Sequence, residues 1–400
     1  MKFVFSILLF FVADLSFAQF KKDLTVMVYI SARNNLALEA LNDINEMETV
    51  GSDDRINFVA ELGRIKGENV FNPFSNPPPL PPQNDWTGSR RIFIKKDLDR
   101  EKVNSEILSY EENADMGNWM RLMDFVKWSK KNFPAKKYIL IVGGHGSGWR
   151  GVKEPPNKGI AYDDLSKNHI SPEEFGRALK ESGGVDILVF DACLMQTVEF
   201  LYELKGAVKY VIASQESTPG EGYDYSVTFS KIASSSMNDN DLITSIIKSY
   251  VYTHFEQKQR SITVSAVNIQ VIEDLSNKIN RLAIEVLRED SDIKLYNDKR
   301  FSLRSFEDED ARDLYHVAFM YYENSKNDKT RAAAKNLMVF LSEKFVVLNG
   351  AKGYKSKDAY GVSIHFPFYY LNYNKKYEFL NFARDTYWDE MIKSSIFANK

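Results

Sequence analysis

The chain has very little cysteine, and this scarcity limits the structures that it can form. Its 400 residues include one cysteine, Cys193, so an intramolecular disulfide framework and a zinc site with several thiolates are both excluded. A lone cysteine is either a buried apolar residue or a reactive thiol. Composition alone leaves both interpretations open.

The chain also lacks an excess of either charge. It has 52 basic and 55 acidic residues and a net charge of -3, without the basic footprint of a protein that wraps nucleic acid. Hydrophobic residues make up 44% and charged residues 27%, values typical of globular proteins. We therefore expect a folded protein that has no nucleic-acid partner.

Long apolar runs are missing except at the N-terminus. Lys2 precedes an apolar run over residues 3–13, and residues 16–18 (SFA) form a small-x-small cleavage site. This run is shorter than the roughly 20 apolar residues that a transmembrane helix needs. The sequence predicts a signal peptide over 1–18, cleavage after Ala18, a secreted or periplasmic protein and no stable membrane span.

Apolar runs alternate with amphipathic stretches in the way that is typical of an α/β fold. Strands are predicted at 24–30, 56–62, 91–95, 138–142, 185–190, 208–214, 262–267 and 360–366. Prolines concentrate at 72–83, which indicates an exposed loop. Helical spacing dominates from about residue 239. We predict a sheet-centred domain over 19–238 and a helix-rich C-terminal region over 239–400 that packs on it.

Two reactive side chains follow two of these strands. His145 comes shortly after 138–142, and Cys193 comes shortly after 185–190. Ligands bind at the carboxyl edge of an open α/β sheet, so neighbouring parallel strands would bring the two side chains together. An imidazole beside a thiol takes its proton and yields a nucleophilic thiolate. Taken singly, each residue has a plainer interpretation, a packed cysteine and a turn histidine.

Two further features surround the thiol. A helix is predicted from Leu194 to Lys205, and its positive N-terminal end would favour a thiolate. Asp191 lies two residues before Cys193 on an extended segment, so its side chain points to the same side of the strand. A carboxylate there either binds an incoming Arg or Lys side chain or caps the sheet edge.

The motif order resembles that of caspases, in which a hydrophobic block runs into His-Gly and a second block runs into Ala-Cys about 50 residues later. The wider sequence resembles the clostripain family of secreted cysteine peptidases, which is similar in fold to caspases, gingipains and legumain. The matching pieces are LTVMVYISARNNL (24–36), ADMGNWMRLMDFVKW (114–128), HGSGW (145–149), GIAYDD (159–164), FDACLMQTVEF (190–200), ASQESTPGEGYDY (213–225) and YGVSIHFP (360–367).

The resemblance implies a caspase-like, mostly parallel sheet of at least six strands flanked by helices. It implies a cysteine endopeptidase that cleaves protein or peptide substrates after Arg or Lys, with Cys193 as nucleophile and His145 as general acid/base. The oxyanion hole would use the N–H groups of Gly146 and Cys193, and Asp191 would set the preference for basic residues. The alternatives are a non-catalytic surface or binding module on the same scaffold, and cleavage after Asn as in legumain.

The resemblance also implies activation by self-cleavage between the two reactive residues. The stretch 150–158 (RGVKEPPNK) has the composition of an exposed loop, with Lys158 as the first expected cleavage site and Arg150 as the second. No cofactor is required, although some clostripain-like enzymes use calcium. The acidic pair 163–164 and the run 307–310 lack the ligand pattern of an EF-hand loop, so we interpret them as solvated faces and predict no metal site.

Overall fold

A computed structural model describes residues 21–66, 86–151, 159–254, 261–299, 302–353, 356, 358–367 and 372–397. The predicted signal peptide over 1–18, the proline-rich stretch 72–83 and Lys158 lie outside the described residues.

The described chain is built around a large sheet. The strands of the described chain are β1 (Lys22–Ala32), β2 (Ile56–Arg64), β3 (Gly88–Phe93), β4 (Glu106–Glu111), β5 (Ala135–Gly144), β6 (Ile160–Asp163), β7 (Asn168–Ile170), β8 (Val185–Asp191), β9 (Val208–Ala213), β10 (Ile262–Asn268), β11 (Ala311–Asp313), β12 (Val346–Lys352) and β13 (Ser363–His365). Nine of them form one sheet in the order β12-β10-β9-β8-β5-β1-β2-β3-β4. Two small sheets pair β6 with β7 and β11 with β13.

The five central strands of this sheet, β9, β8, β5, β1 and β2, are parallel. Antiparallel strands extend it on both sides, β3 and β4 beyond β2, and β10 and β12 beyond β9. The predicted mostly parallel sheet of at least six strands is confirmed. The predicted strand 360–366 is reduced to β13, which pairs with β11 outside the main sheet.

Helices cover both faces of the sheet. They are α1 (Glu39–Glu48), α2 (Trp119–Asn132), α3 (Pro172–Glu181), α4 (Val198–Glu203), α5 (Tyr225–Ala233), α6 (Asp239–Thr253), α7 (Ile272–Leu287), α8 (Asp290–Lys299), α9 (Leu314–Asn324), α10 (Asp328–Phe340), α11 (Asn381–Asp385) and α12 (Trp388–Phe397). Buried side chains of α1, α5 and α6 form an apolar core on one face. Those of the other helices form the core on the opposite face.

Strand β1 shows how the two cores share one backbone. Met27 and Tyr29 belong to one core, whereas Val26, Val28 and Ile30 belong to the other. Successive side chains of a strand point to opposite faces, so a strand covered on both faces needs a continuous apolar run.

The C-terminal region contributes to the same sheet. Strands β10 and β12 lie beyond residue 238, the predicted domain boundary, and they form the edge next to β9. The two predicted regions therefore share one sheet and both of its cores. Within the described chain, no helix has the length and apolar character that crossing a membrane requires.

One buried charge ties the antiparallel end of the sheet to helix α2. Glu61 on β2 has no exposed surface, and its carboxylate pairs with Arg91 Nε at 2.9 Å and with Arg121 Nε at 2.5 Å. The Ser89 hydroxyl donates a further hydrogen bond to it at 3.1 Å. The strand, its neighbour β3 and the helix thus meet at one carboxylate.

Replacing this carboxylate, as in Glu61→Ala, should destabilise the fold by about 3–5 kcal/mol, because two largely buried guanidinium groups lose their partner. The free energy of unfolding is measured by denaturant titration followed by circular dichroism. The matched control is Glu106→Ala, which removes an exposed carboxylate paired with Lys95 and should cost at most about 1 kcal/mol. Equal losses in the two variants would contradict the structural role of Glu61.

Candidate active site

The sheet register brings the imidazole and the thiol to one place. Strands β5 and β8 are parallel neighbours with Gly143 opposite Asp191. His145 and Cys193 each lie two residues beyond that pair, at the carboxyl edge of the sheet. Both side chains line one cavity of about 180 Å³, together with Asp191. The predicted meeting of these residues at a shared sheet edge is thus observed.

A glycine lets the two main chains lie side by side. A Cβ atom added to Gly146 would come within 2.7 Å of the Cys193 carbonyl oxygen and 2.9 Å of Met195 Sδ. Real Cβ atoms do not approach main-chain oxygens so closely, so any larger residue would push the two segments apart. Gly146 therefore allows the main chain after His145 to pack directly against that of Cys193.

The thiol lies in a tight turn and not at a helix end. The predicted helix start at Leu194 is wrong, because Leu194 has a φ of 61° and α4 begins only at Val198. A left-handed residue cannot belong to a right-handed helix. The helix dipole therefore gives Cys193 no support. The turn aims the side chain at a loop, where the Thr218 N–H donates to Cys193 Sγ at 3.3 Å.

Burial raises the pKa of the Cys193 thiol above its ordinary value. The hydrogen bond from Thr218 N–H lowers the pKa, whereas the negative charges of Asp191 and Glu216 raise it further. The resting side chain is therefore a neutral thiol. A base has to remove its proton when the nucleophile is needed.

A residue that the sequence analysis did not single out orients the imidazole. Nε2 of His145 lies 2.7 Å from Oδ1 of Asn35, in the loop after β1. The neighbouring Asn34 holds this loop, because its side chain donates to the carbonyl oxygens of Ser31 and Tyr162. With Nε2–H donating to Asn35, Nδ1 is the basic nitrogen of the neutral ring. The sequence could have indicated Asn35, because this residue follows a buried strand and therefore lies at the same edge of the sheet as His145 and Cys193.

Asp191 forms part of the cavity wall. Its Oδ2 accepts hydrogen bonds from Tyr225 O–H at 3.1 Å and Tyr223 N–H at 3.3 Å. Burial raises its pKa to about 6, although both hydrogen bonds lower it. Gly222 has a φ of +57°, and a Cβ atom there would lie 2.5 Å from Asp191 Oδ2. The glycine therefore leaves the room that this carboxylate occupies.

The other histidines lie away from this cavity. His365 is buried against Trp149 and Tyr377, and burial lowers its pKa to about 3. His254 is buried as well and bonds the carbonyl oxygen of Gly222 through Nε2 at 2.9 Å. In the part of the chain that the structure describes, no group of three or more His, Cys, Asp or Glu side chains is arranged to hold a metal ion.

Three of the six acidic residues considered for calcium are engaged by arginines. Asp163 is fully buried and pairs with Arg33 at 3.0 Å. Asp308 and Asp310 pair with Arg150 at 2.7 and 2.8 Å. The interpretation of these carboxylates as solvated faces therefore does not describe Asp163 or Asp310, which are both buried.

Arg150, the second expected cleavage site, does not line the cavity. Arg150 lies in a 3-10 helix, Gly148–Gly151, with its guanidinium held by the two aspartates. Gly159, which follows the first expected site, is buried, and a Cβ atom there would lie 2.1 Å from His169 Cδ2, so the main chain is not accessible at this residue.

A sequence model of the clostripain family matches residues 28–394 of this chain. This chain belongs to the clostripain family. As a family member it is a cysteine-type endopeptidase, which sets aside the alternative of a non-catalytic module. It is 27% identical over 412 residues to clostripain of Hathewaya histolytica, and the match covers 88% of this chain and 75% of that protein.

Two solved structures have the same fold as this clostripain-family chain. A secreted C11 cysteine protease from Bacteroides thetaiotaomicron, solved with an irreversible peptide inhibitor, has a TM-score of 0.68 and 20% identity, covering 94% of this chain and 99% of that one. An inactive zymogen C11 protease from Parabacteroides distasonis has a TM-score of 0.66 and 19% identity, covering 92% and 99%.

Removing the acceptor at Asn35 should misplace the imidazole in this clostripain-family site. In Asn35→Ala we expect kcat for peptide substrates to fall roughly 10–100-fold with little change in KM. In Asn35→Asp the acceptor remains, so kcat should recover, and the carboxylate should move the acid limb of the pH–rate profile upward by favouring the imidazolium.

Steady-state kinetics over a pH series measures both effects. Asn42→Ala, at an exposed position of α1, is the matched control and should behave as the wild type. An unchanged kcat in Asn35→Ala, or failure of Asn35→Asp to restore it, would contradict a positioning role for Asn35.

Proposed function

We propose that this enzyme is an exported endopeptidase that cleaves peptide bonds after Arg or Lys, with Cys193 as nucleophile and His145 as general acid/base. The observation that carries the proposal is the cavity that the thiol, the imidazole and the Asp191 carboxylate line together. A nucleophile, a base and a countercharge for a cationic side chain are the parts that this reaction needs.

The reaction begins when Nδ1 of His145 takes the thiol proton as Cys193 Sγ attacks the scissile carbonyl carbon. N–H groups of Gly146 and Cys193 stabilise the resulting oxyanion. The carbon–nitrogen bond then breaks, the amine leaves with the proton from His145, and a thioester remains on Cys193. A water molecule, deprotonated by His145, hydrolyses the thioester and the proton returns to the sulfur. These steps require no cofactor.

The specificity for basic residues is assigned to Asp191. A buried carboxylate without a cationic partner is costly, and a guanidinium or ammonium group entering the cavity offsets that cost. A neutral Asn side chain brings no compensating charge, so cleavage after Asn is disfavoured.

Export is proposed from the sequence of residues 1–18, with cleavage after Ala18. One structural relative is described as secreted. The natural substrates are then proteins or peptides outside the cytoplasm.

Turnover of fluorogenic peptides that end in Arg, Lys or Asn tests the activity. We expect hydrolysis after Arg and Lys, none after Asn, and none of any peptide by Cys193→Ala. Asp191→Asn should lower kcat/KM for the basic substrates by about 10-fold or more, because a charged hydrogen bond is lost. Wild-type activity in Cys193→Ala would end the assignment of the nucleophile, and a preference for Asn would end that of the specificity.

Self-cleavage between His145 and Cys193 is proposed as the activating step, and one structural relative is described as an inactive zymogen. Arg150 is a poor site, because two ion pairs engage its guanidinium. Lys158 therefore remains the first expected site, and we add Lys153 of the same stretch as the second. Cleavage at Lys158 requires buried Gly159 to leave its contact with His169.

Purified wild-type protein should split into two fragments, whereas Cys193→Ala stays whole. N-terminal sequencing of the second fragment should start at Gly159 or Glu154, and Arg150→Gln should process as the wild type does. A new N-terminus at Gly151 would overturn the argument from the ion pairs. A fully active enzyme that stays one chain on a denaturing gel would overturn self-activation.

A further inference from the structure

The cavity at the active site is more acidic than one specificity residue explains. Besides Asp191, three carboxylates line it: Glu39, Asp43 and Glu221. Asp43 lies on α1, which packs on the sheet face opposite to that of α2 and α3. It therefore faces the cavity from a different element than Asp191, which ends β8. Apolar residues line this part of the cavity as well, namely Ile30, Ala32, Leu36 and Ala40.

Asp43 differs from the other carboxylates around it. Glu46, one turn further along α1, accepts the main-chain N–H of Tyr225 at 2.8 Å. Asp191 accepts two hydrogen bonds from Tyr223 and Tyr225. Among the residues that the structure describes, none donates a hydrogen bond to the half-buried Asp43 carboxylate or forms an ion pair with it.

This arrangement is unfavourable when the cavity is empty. Burial raises the pKa of Asp43 well above its ordinary value, and the negative charge of Asp191 is the next cause of that shift, followed by those of Glu46 and Glu39. A half-buried carboxylate that lacks a donor contributes little to stability that would explain its presence. A cation entering the cavity supplies the donor and the countercharge that the protein leaves out.

We propose that Asp43 is a second specificity-determining residue, which with Asp191 forms a pair of carboxylates that receives the cationic side chain of the residue before the cleaved bond. This inference rests on the proposed function. A guanidinium has five N–H donors on a planar fork and can meet acceptors on two sides, whereas an ammonium is a compact point charge. Asp43 therefore contributes more to the binding of Arg than to that of Lys.

The test is Asp43→Asn, which keeps the shape of the side chain and removes its charge. Steady-state kinetics is measured with matched peptides that carry Arg, Lys or the neutral citrulline before the cleaved bond. For the Arg peptide we expect kcat/KM to fall about 10–100-fold, mostly through KM. The loss should be smaller for the Lys peptide and absent for the citrulline peptide.

Two further measurements separate binding from folding and from chemistry. The rate at which iodoacetamide alkylates Cys193 should not change, because that small neutral reagent does not use the carboxylate pair. The melting temperature should not fall, because the Asp43 carboxyl group has no donor or cation in the described structure whose loss would destabilise the fold. Asp54→Asn removes an equal charge from an exposed turn and controls for net charge; it should match the wild type with every peptide.

The outcomes distinguish this inference from the function on which it rests. A wild-type enzyme that does not cleave after Arg or Lys overturns both. A wild-type enzyme that cleaves after them while Asp43→Asn keeps the same KM for the Arg peptide overturns only the role of Asp43. Equal losses with the Arg and citrulline peptides, or a slowed alkylation of Cys193, would also overturn it, because they indicate a general disturbance of the site.

Discussion

The pairing of β5 with β8 determines where the reactive groups of this enzyme lie. With Gly143 opposite Asp191, the imidazole, the thiol and one carboxylate reach the same edge of the sheet at the same height. Side chains alternate along a strand, so a slip of one residue would turn Asp191 away from the cavity and its neighbours into it. Apolar cores on both faces prevent such a slip, because it would exchange every buried side chain between them.

The buried carboxylates of this fold differ in whether a cationic side chain lies beside them. Glu61 is matched by Arg91 and Arg121, and Asp163 is matched by Arg33. At the cavity, within the described residues, Asp43 and Asp191 have no arginine or lysine beside them. At the cavity, the missing countercharge is one that the cationic side chain of a substrate would supply.

Much of the architecture was predictable from local sequence. The central strands are continuous apolar runs because both of their faces are covered. Helix α3 begins with a capping box between Ser171 and Glu174, a spacing that is visible in the sequence. Strand β4 was not predicted, because all six of its residues are exposed and show no apolar pattern. Strand β12 was missed because its first residues, Val346, Val347 and Leu348, are apolar and follow the apolar spacing of α10.

The reactive pair was also predictable, because each member directly follows a buried strand. What surrounds the pair was not. The turn at Leu194 adopts a positive φ that its side chain does not favour, and only the surrounding structure imposes it. The contact between Asn35 and His145 joins residues 110 positions apart, and nothing in either local sequence requires the other.

The segment between β5 and β8 divides the chain at the middle of the sheet order, with β1 to β5 before it and β8, β9, β10 and β12 after it. A cut in that segment would leave two chains that meet along a buried seam, where Ile139 and Ile141 pair with Ile187 and Val189. Neither half could cover its own apolar surface. The processed enzyme would be an obligate two-chain assembly, and its refolding would change from a first-order to a second-order reaction that depends on concentration. Once denatured, such an enzyme would recover poorly at high dilution, because its two chains would have to meet again before they could refold.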